Sequence, residues 1–427
     1  MRLRRLVPIL AVMALLVIAG CGDDDEGSDS SGGASGEEIS AGGENLKGDE
    51  VKLGYLVGVT GDYSAFTGPA LEAAEIAIKD VNDAGGILDG PAKLVVQDNK
   101  STAEGAVSGF EKLTQVDKVV GIGGVESDGG VAVLERAAEQ QIPVICTFCG
   151  TPILDTKGGD YVWRTTASDT DGGTASAQFA RDREYEKVGI LAQSGEVGRP
   201  ADIFKQVFED KVGGEVVSDV RFDPGKSSYQ VEVQQAFEGD PDAVYLAAGH
   251  QEAASILPEW QRRGYGGEFF VSPDLITPET TFDFLEDGVG TGVIAAFDEE
   301  TEAYTQFAEK YEAKTGDPPS EGLGEPLNYD TVILLALAVT AAKSTDGEKV
   351  NAKVPEVVSP EGEKCFLYAD CVKLLEAGKE IDYHGASTSL DMNDKGNLLS
   401  PVMSEIQLVD GEWGPVGTID LDPELRP

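Results

Sequence analysis

Short β-branched runs alternate with helix-length stretches from Val51 to Ala296, and this alternation constrains the fold more than any single motif. The strand-like runs are Val51–Val57, Lys93–Gln97, Val119–Gly123, Pro143–Thr147, Lys187–Ala192, Glu215–Phe222, Ala243–Ala247, Glu268–Ser272 and Gly292–Ala296. Between them lie helical stretches such as Ala70–Ala84, where Leu71, Ala74, Ile78 and Val81 recur at the spacing of one buried face. Such alternation predicts an α/β chain with parallel sheets covered by helices on both faces. Two units in series predict two lobes. Ligands of open parallel sheets sit beyond the carboxyl ends of the strands, so facing lobes define a cleft. After Phe297 the pattern changes to helices at Glu302–Thr315 and Tyr329–Ser344. A tail follows with strand-like runs at Met403–Val409 and Val416–Ile419 around an Asp410-Gly411 turn.

The N-terminus speaks to compartment. Arg2, Arg4 and Arg5 precede an apolar run, Leu6 to Gly20, of about 15 residues, short of the ~20 that span a bilayer as a helix. This is the pattern of an export signal over residues 1–20. Val17-Ile18-Ala19-Gly20-Cys21 resembles a bacterial lipobox, which implies lipidation at Cys21 and an extracytoplasmic protein held to the membrane through lipid alone. Residues 21–50 hold ten acids and one lysine, and are expected to form a disordered tether. The formal net charge of −44 opposes phosphate backbones and argues against nucleic acid as a partner.

Several familiar chemistries fail on inspection. His250 and His384 are the only histidines, so no zinc cluster or histidine triad is expected. Asp391-Met392-Asn393-Asp394-Lys395-Gly396 approaches a calcium loop but has Lys395 at a ligand position and Val402 where a bidentate glutamate belongs, so it reads as a turn. Gly121-Ile122-Gly123-Gly124 lacks the last glycine of a dinucleotide fingerprint, Glu126 standing there. No nucleophile has an evident base beside it. The expectation is a non-enzyme without metal or other cofactor.

Gly58-Val59-Thr60-Gly61, Ala77 to Ile87, Val119 to Ser127 and Ile381 to Ser387 stand in an order and spacing that resemble the branched-chain amino-acid class of periplasmic-type binding proteins. The resemblance implies a type I periplasmic-binding-protein fold: two Rossmann-like lobes joined by a three-crossing hinge, near Thr166–Asp169, Ala295–Asp298 and Ser387–Met392. Residues 51–167 with 297–388 would form the first lobe, and 168–296 with 389–427 the second. It further implies a monomer that captures a small solute by hinge closure and delivers it to an ABC permease. A ligand sensor for a signalling receptor is the alternative role.

By the same resemblance, Ser127, Phe148, Gly150 and Thr151 would hold a ligand carboxylate and ammonium, Asp274 would pair with the ammonium, and Phe66 would cover the side-chain pocket. Gly150 falls where the family has a hydroxyl residue, with Thr151 one step along, a departure that the backbone contacts of this loop can survive. Val197 and Gly249-His250 replace cleft aromatics. Glu126 and Asp128 flank Ser127; if both point inward they favour an amide, urea or cationic solute over an amino acid. Cys365–Cys371 matches a small-loop disulfide of related proteins. Cys146 and Cys149 are expected as a structural bridge or two thiols rather than a redox pair.

Overall fold

A computed structural model describes residues 37–61, 63–195, 197–265, 268–276, 290–320, 324–399, 401–409 and 412–426. The signal-like segment, Cys21, residues 21–36 of the acidic stretch and the side chain of Asp274 lie outside the described residues. The first sheet contains β1 (Glu37–Ile39), β2 (Val51–Val57), β3 (Ala92–Asp98), β4 (Ile122–Gly123), β5 (Val144–Cys146) and β6 (Val162–Arg164), in the order β1-β3-β2-β4-β5-β6. All neighbours pair parallel except β1, which is antiparallel to β3. The second sheet contains β7 (Lys187–Gln193), β8 (Glu215–Phe222), β9 (Ala243–Ala247), β10 (Glu268–Val271) and β11 (Gly290–Ala295) as a parallel block. A small pair, β12 (Glu363–Cys365) and β13 (Ile381–Tyr383), belongs to neither sheet, while β14 (Met403–Val409) and β15 (Glu412–Ile419) close the second sheet antiparallel.

The helices that matter for the site are α1 (Ser64–Asp83), α2 (Ala103–Lys112), α3 (Ser127–Gln140), α4 (Ile153–Lys157), α5 (Asp169–Asp182), α6 (Arg199–Val207), α7 (Gln230–Ala236), α8 (His250–Arg263), α9 (Glu302–Thr315) and α10 (Glu325–Ala342). In α1, Ala74, Ile78 and Val81 are fully buried as the spacing predicts, packed into the core that α10 also enters. The chain between Ala336 and Val339 is inaccessible on every side, the state expected of a helix apolar all round. The helix α1 begins at Ser64, ahead of the Ala70 start read from sequence. Its first turn is anchored by the Thr67 hydroxyl donating to the Gly58 carbonyl at 2.6 Å, and this turn carries Phe66.

The chain leaves the first sheet after β6 and enters α5, which packs on α6 and β11; it returns after β11 into α9, which packs on α1. The third crossing lies later than Ser387–Met392. Ser387 accepts from the Asp298 N–H at 3.0 Å beside the second crossing, but residues 391–399 then turn back onto first-lobe residues. The Asn397 amide donates to the Asp155 carbonyl at 3.1 Å, and the chain meets the second crossing again where Ala296 N–H donates to Val402 at 2.9 Å.

The expected disorder of residues 21–50 fails for 37–50. Strand pairing uses backbone groups and needs few apolar side chains, so Glu37–Ile39 add to β3 with Glu38 opposite Val95. The acids there are paired rather than repelled: Lys52 meets Glu38 at 2.7 Å and Lys93 meets Glu50 at 2.7 Å. The Asn82 amide, donating to the Ala41 carbonyl at 2.8 Å, ties the segment to α1.

Candidate functional site

Each parallel block has the flavodoxin-like order 2-1-3-4-5, with β3-β2-β4-β5-β6 in the first lobe and β8-β7-β9-β10-β11 in the second. The reversal of strand order falls between β2 and β4, and between β7 and β9, and the crevice at such a reversal is where open α/β sheets bind ligands. A cavity of about 190 Å³ lies between the lobes, below the ~300–1,000 Å³ of pockets for drug-sized ligands. Its first-lobe wall is aromatic. Tyr63, Phe66 and Phe148 form a cluster with ring centroids 5.7–6.5 Å apart, and Phe148 closes over Gly324 at the start of α10. Gly324 has φ +71°, and a Cβ there would stand 2.8 Å from the Phe148 ring, so glycine serves both the backbone and the approach. The second-lobe side supplies Pro200, Pro273, Ile294 and Met403.

Ser127 is buried on the cavity wall, as the first residue of α3 rather than a cap ahead of Gly130. The first turn has no side-chain cap hydrogen bond, and a helix N-terminus beside a cavity is a setting that favours an anion. The Ser127 hydroxyl holds the neighbouring loop: it accepts from Thr151 N–H at 3.2 Å and approaches the Phe148 carbonyl at 3.4 Å. A Ser127→Ala variant leaves the buried Thr151 N–H without this acceptor. Its expected cost is about 1–3 kcal/mol of stability, with affinity about tenfold weaker, checked by urea unfolding and calorimetry of the same variant.

The loop after β5 is supported from beneath. Cys146 and Cys149 are joined as a disulfide with Cα atoms 5.6 Å apart, both fully buried. A Cβ on Gly130 would lie 2.7 and 2.8 Å from the two sulfurs, so glycine in α3 makes room for the bridge. Arg164, 1% exposed, donates to the Cys149 carbonyl at 3.1 Å and pairs with Asp155 and Asn397. The second disulfide joins Cys365 and Cys371, Cα atoms 5.3 Å apart.

Of the residues singled out from sequence, Phe66, Ser127, Phe148 and Gly150 line the cavity together. Thr151 does not line it; its N–H serves Ser127 and its hydroxyl faces the Ile153 amide at 3.5 Å. Asp274 lies in the 3-10 turn Pro273–Leu275 that follows β10, beside the cavity-lining Pro273.

The two acids beside Ser127 do not face inward. Glu126 is buried the other way, accepting from Asn99 at 2.6 Å, because its backbone bridges to Phe148. Asp128 is largely exposed and stands 3.7 Å from Arg199 of the other lobe. Val197 and His250 are absent from the lining, so the aromatic wall belongs to the first lobe alone.

Sequence reasoning missed Asp169, Thr166, Leu327 and Pro200 on the lining. Asp169 opens α5 behind its Ser168 cap, and its carboxylate occupies the space a Cβ on Gly150 would need, 1.8 Å from that position. A hydroxyl side chain at Gly150 is thus incompatible with Asp169 in this arrangement. The signal for Asp169 was a Ser-Asp cap at the end of the first crossing.

A two-lobed α/β fold with an aromatic-walled cavity at its paired switch points is the architecture of a solute-binding protein. The chain belongs to the periplasmic binding protein family, which it matches over residues 50–362. This is a class of solute-binding proteins, not enzymes. It is 23% identical over 81% of its length to the chemotactic signal transduction system substrate-binding protein BasB of Halobacterium salinarum, covering 84% of that protein. It is 24% identical over 72% of its length to a Leu/Ile/Val-binding protein homologue of Brucella abortus, covering 82% of it. Its fold is similar to the isoleucine complex of LivJ, a branched-chain amino-acid transporter substrate-binding protein of Streptococcus pneumoniae: TM-score 0.72, 18% identity, 87% of this chain and 100% of that one.

Proposed function

We propose that this protein captures an aliphatic amino acid, branched-chain or closely related, outside the cytoplasm and presents it to an ABC permease. The observation that carries this reading is the pairing of an aromatic pocket, Tyr63, Phe66 and Phe148, with the uncapped start of α3 at Ser127. An apolar side chain fits the first feature and a carboxylate the second. Asp274 takes the ammonium when the lobes close, and the closed form gains population only through such added contacts. The outward orientation of Glu126 and Asp128 removes the main argument for a cationic solute. Cys21 carries the lipid that holds the chain, as a monomer, at the membrane surface. Presentation to a signalling receptor is the second reading, favoured by the likeness to BasB.

The test is calorimetric titration of the purified protein, unfolded and refolded with its disulfides intact to remove carried-over solute. Leucine, isoleucine, valine and phenylalanine come first, then amides, urea and polyamines. Micromolar or tighter binding of an aliphatic amino acid is the expected result. Heat only from a cation or a neutral amide would replace the ligand class.

A further inference from the structure

Strand β13 and the loop that follows it bring three metal-ligating side chains together, away from the solute cavity. Side chains alternate across a strand, so Asp382 and His384 share one face while Tyr383 turns to the other and donates to Asp330 at 2.7 Å. The returning chain adds Asp391. One ligand atom from each of Asp382, His384 and Asp391 lies within 4.8 Å of the other two.

The decisive detail is burial without a partner. Asp382 is 1% exposed; its Oδ2 meets His384 Nε2 at 3.0 Å, but among the described residues its Oδ1 has no hydrogen-bond partner. The Oδ1 of half-buried Asp391 is in the same state. Leaving two carboxylate oxygens desolvated and unpaired is costly, and a shared cation removes the cost. Lys364, opposite Asp382 in the β12–β13 register, is exposed and makes no hydrogen bond to the three among the described residues.

We propose that Asp382, His384 and Asp391 form a binding site for a divalent transition-metal cation of the zinc class. One imidazole nitrogen with two carboxylate oxygens suits zinc better than calcium or magnesium, which take oxygen alone. Ligands about 2.0–2.2 Å from a common ion stand roughly 3–4 Å apart, so the three need close only slightly. The ion clamps β13 to the loop 391–399 that precedes the third crossing. It is structural, since none of the three residues lines the solute cavity.

The purified protein, freed of metal by a chelator, is titrated with Zn²⁺ by calorimetry and with Co²⁺ by visible absorption. One equivalent of Zn²⁺ is expected, with a Co²⁺ d–d band. His384→Ala and Asp391→Asn, each verified as folded by circular dichroism, should each weaken binding at least tenfold and remove the band. Zn²⁺ should raise the unfolding temperature of the parent and of neither variant. Absence of binding in the parent, or binding unaltered in either folded variant, overturns the site; the latter places the metal elsewhere on the acidic surface.

Discussion

Replacing Asp274 with alanine is expected to lower amino-acid affinity more than a hundredfold while leaving the unfolding temperature unchanged. The residue stands in the 3-10 turn Pro273–Leu275 at the carboxyl end of β10, next to Pro273 on the cavity wall. That turn is held by the buried Leu275 and Ile276, so its shape does not depend on the carboxylate. In a closed cleft the ligand ammonium loses water, and only an opposite charge offsets that loss. Removing one member of a buried pair costs about 3–5 kcal/mol, which sets the hundredfold or larger fall. Calorimetry of Asp274→Ala decides it. Retained affinity would move the ammonium to Asp169, the acid placed on the cavity wall.

The second large effect concerns Asp330, fully buried in α10. It accepts from Tyr383 at 2.7 Å, from the Ala386 and Ser387 amides at 2.8 and 2.7 Å, and from the Ser387 hydroxyl. These bonds pin the turn whose Ser387 carbonyl holds Asp298 at the second crossing. Asp330→Ala strands several buried donors and is expected to cost about 3–5 kcal/mol, read from urea unfolding.

The same group makes stability depend on pH. Burial outweighs its donors and pushes the carboxyl up to about 6. The unfolded value is near 4. A group raised on folding contributes stability that is complete below the unfolded value and lost as pH rises through the folded one. Relative to Asp330→Asn, which does not titrate, the parent should therefore lose stability between about pH 4 and 6, and the difference in urea midpoints against pH measures it.

The large architecture was legible because long apolar runs such as Val51–Val57 and Ala243–Ala247 repeat with helices between them. β6 was not, since it has three residues and ends in Arg164, whose burial depends on Asp155 and Asn397 from distant chain. The site was legible as loops but not as directions. Ser127 and Phe148 could be placed at strand ends, whereas the turning of Glu126 toward Asn99 follows from a bridge to Phe148 that spacing does not announce. Asp169 filling the space beside Gly150 is likewise a contact across the first crossing. The grouping of Asp382, His384 and Asp391 escaped a reading that tested histidines against each other and 391–396 as a calcium loop.

The three residues of β1 have a consequence for the molecule among its copies. An open strand edge is a template for another chain, and proteins guard it with charge or cover. Without Glu37–Ile39, the β3 backbone from Leu94 to Val96 would lie bare along an apolar strand. The acidic leader thus acts as a shield: it satisfies that edge and surrounds it with negative charge. Copies of the protein are thereby kept from pairing sheet to sheet along β3.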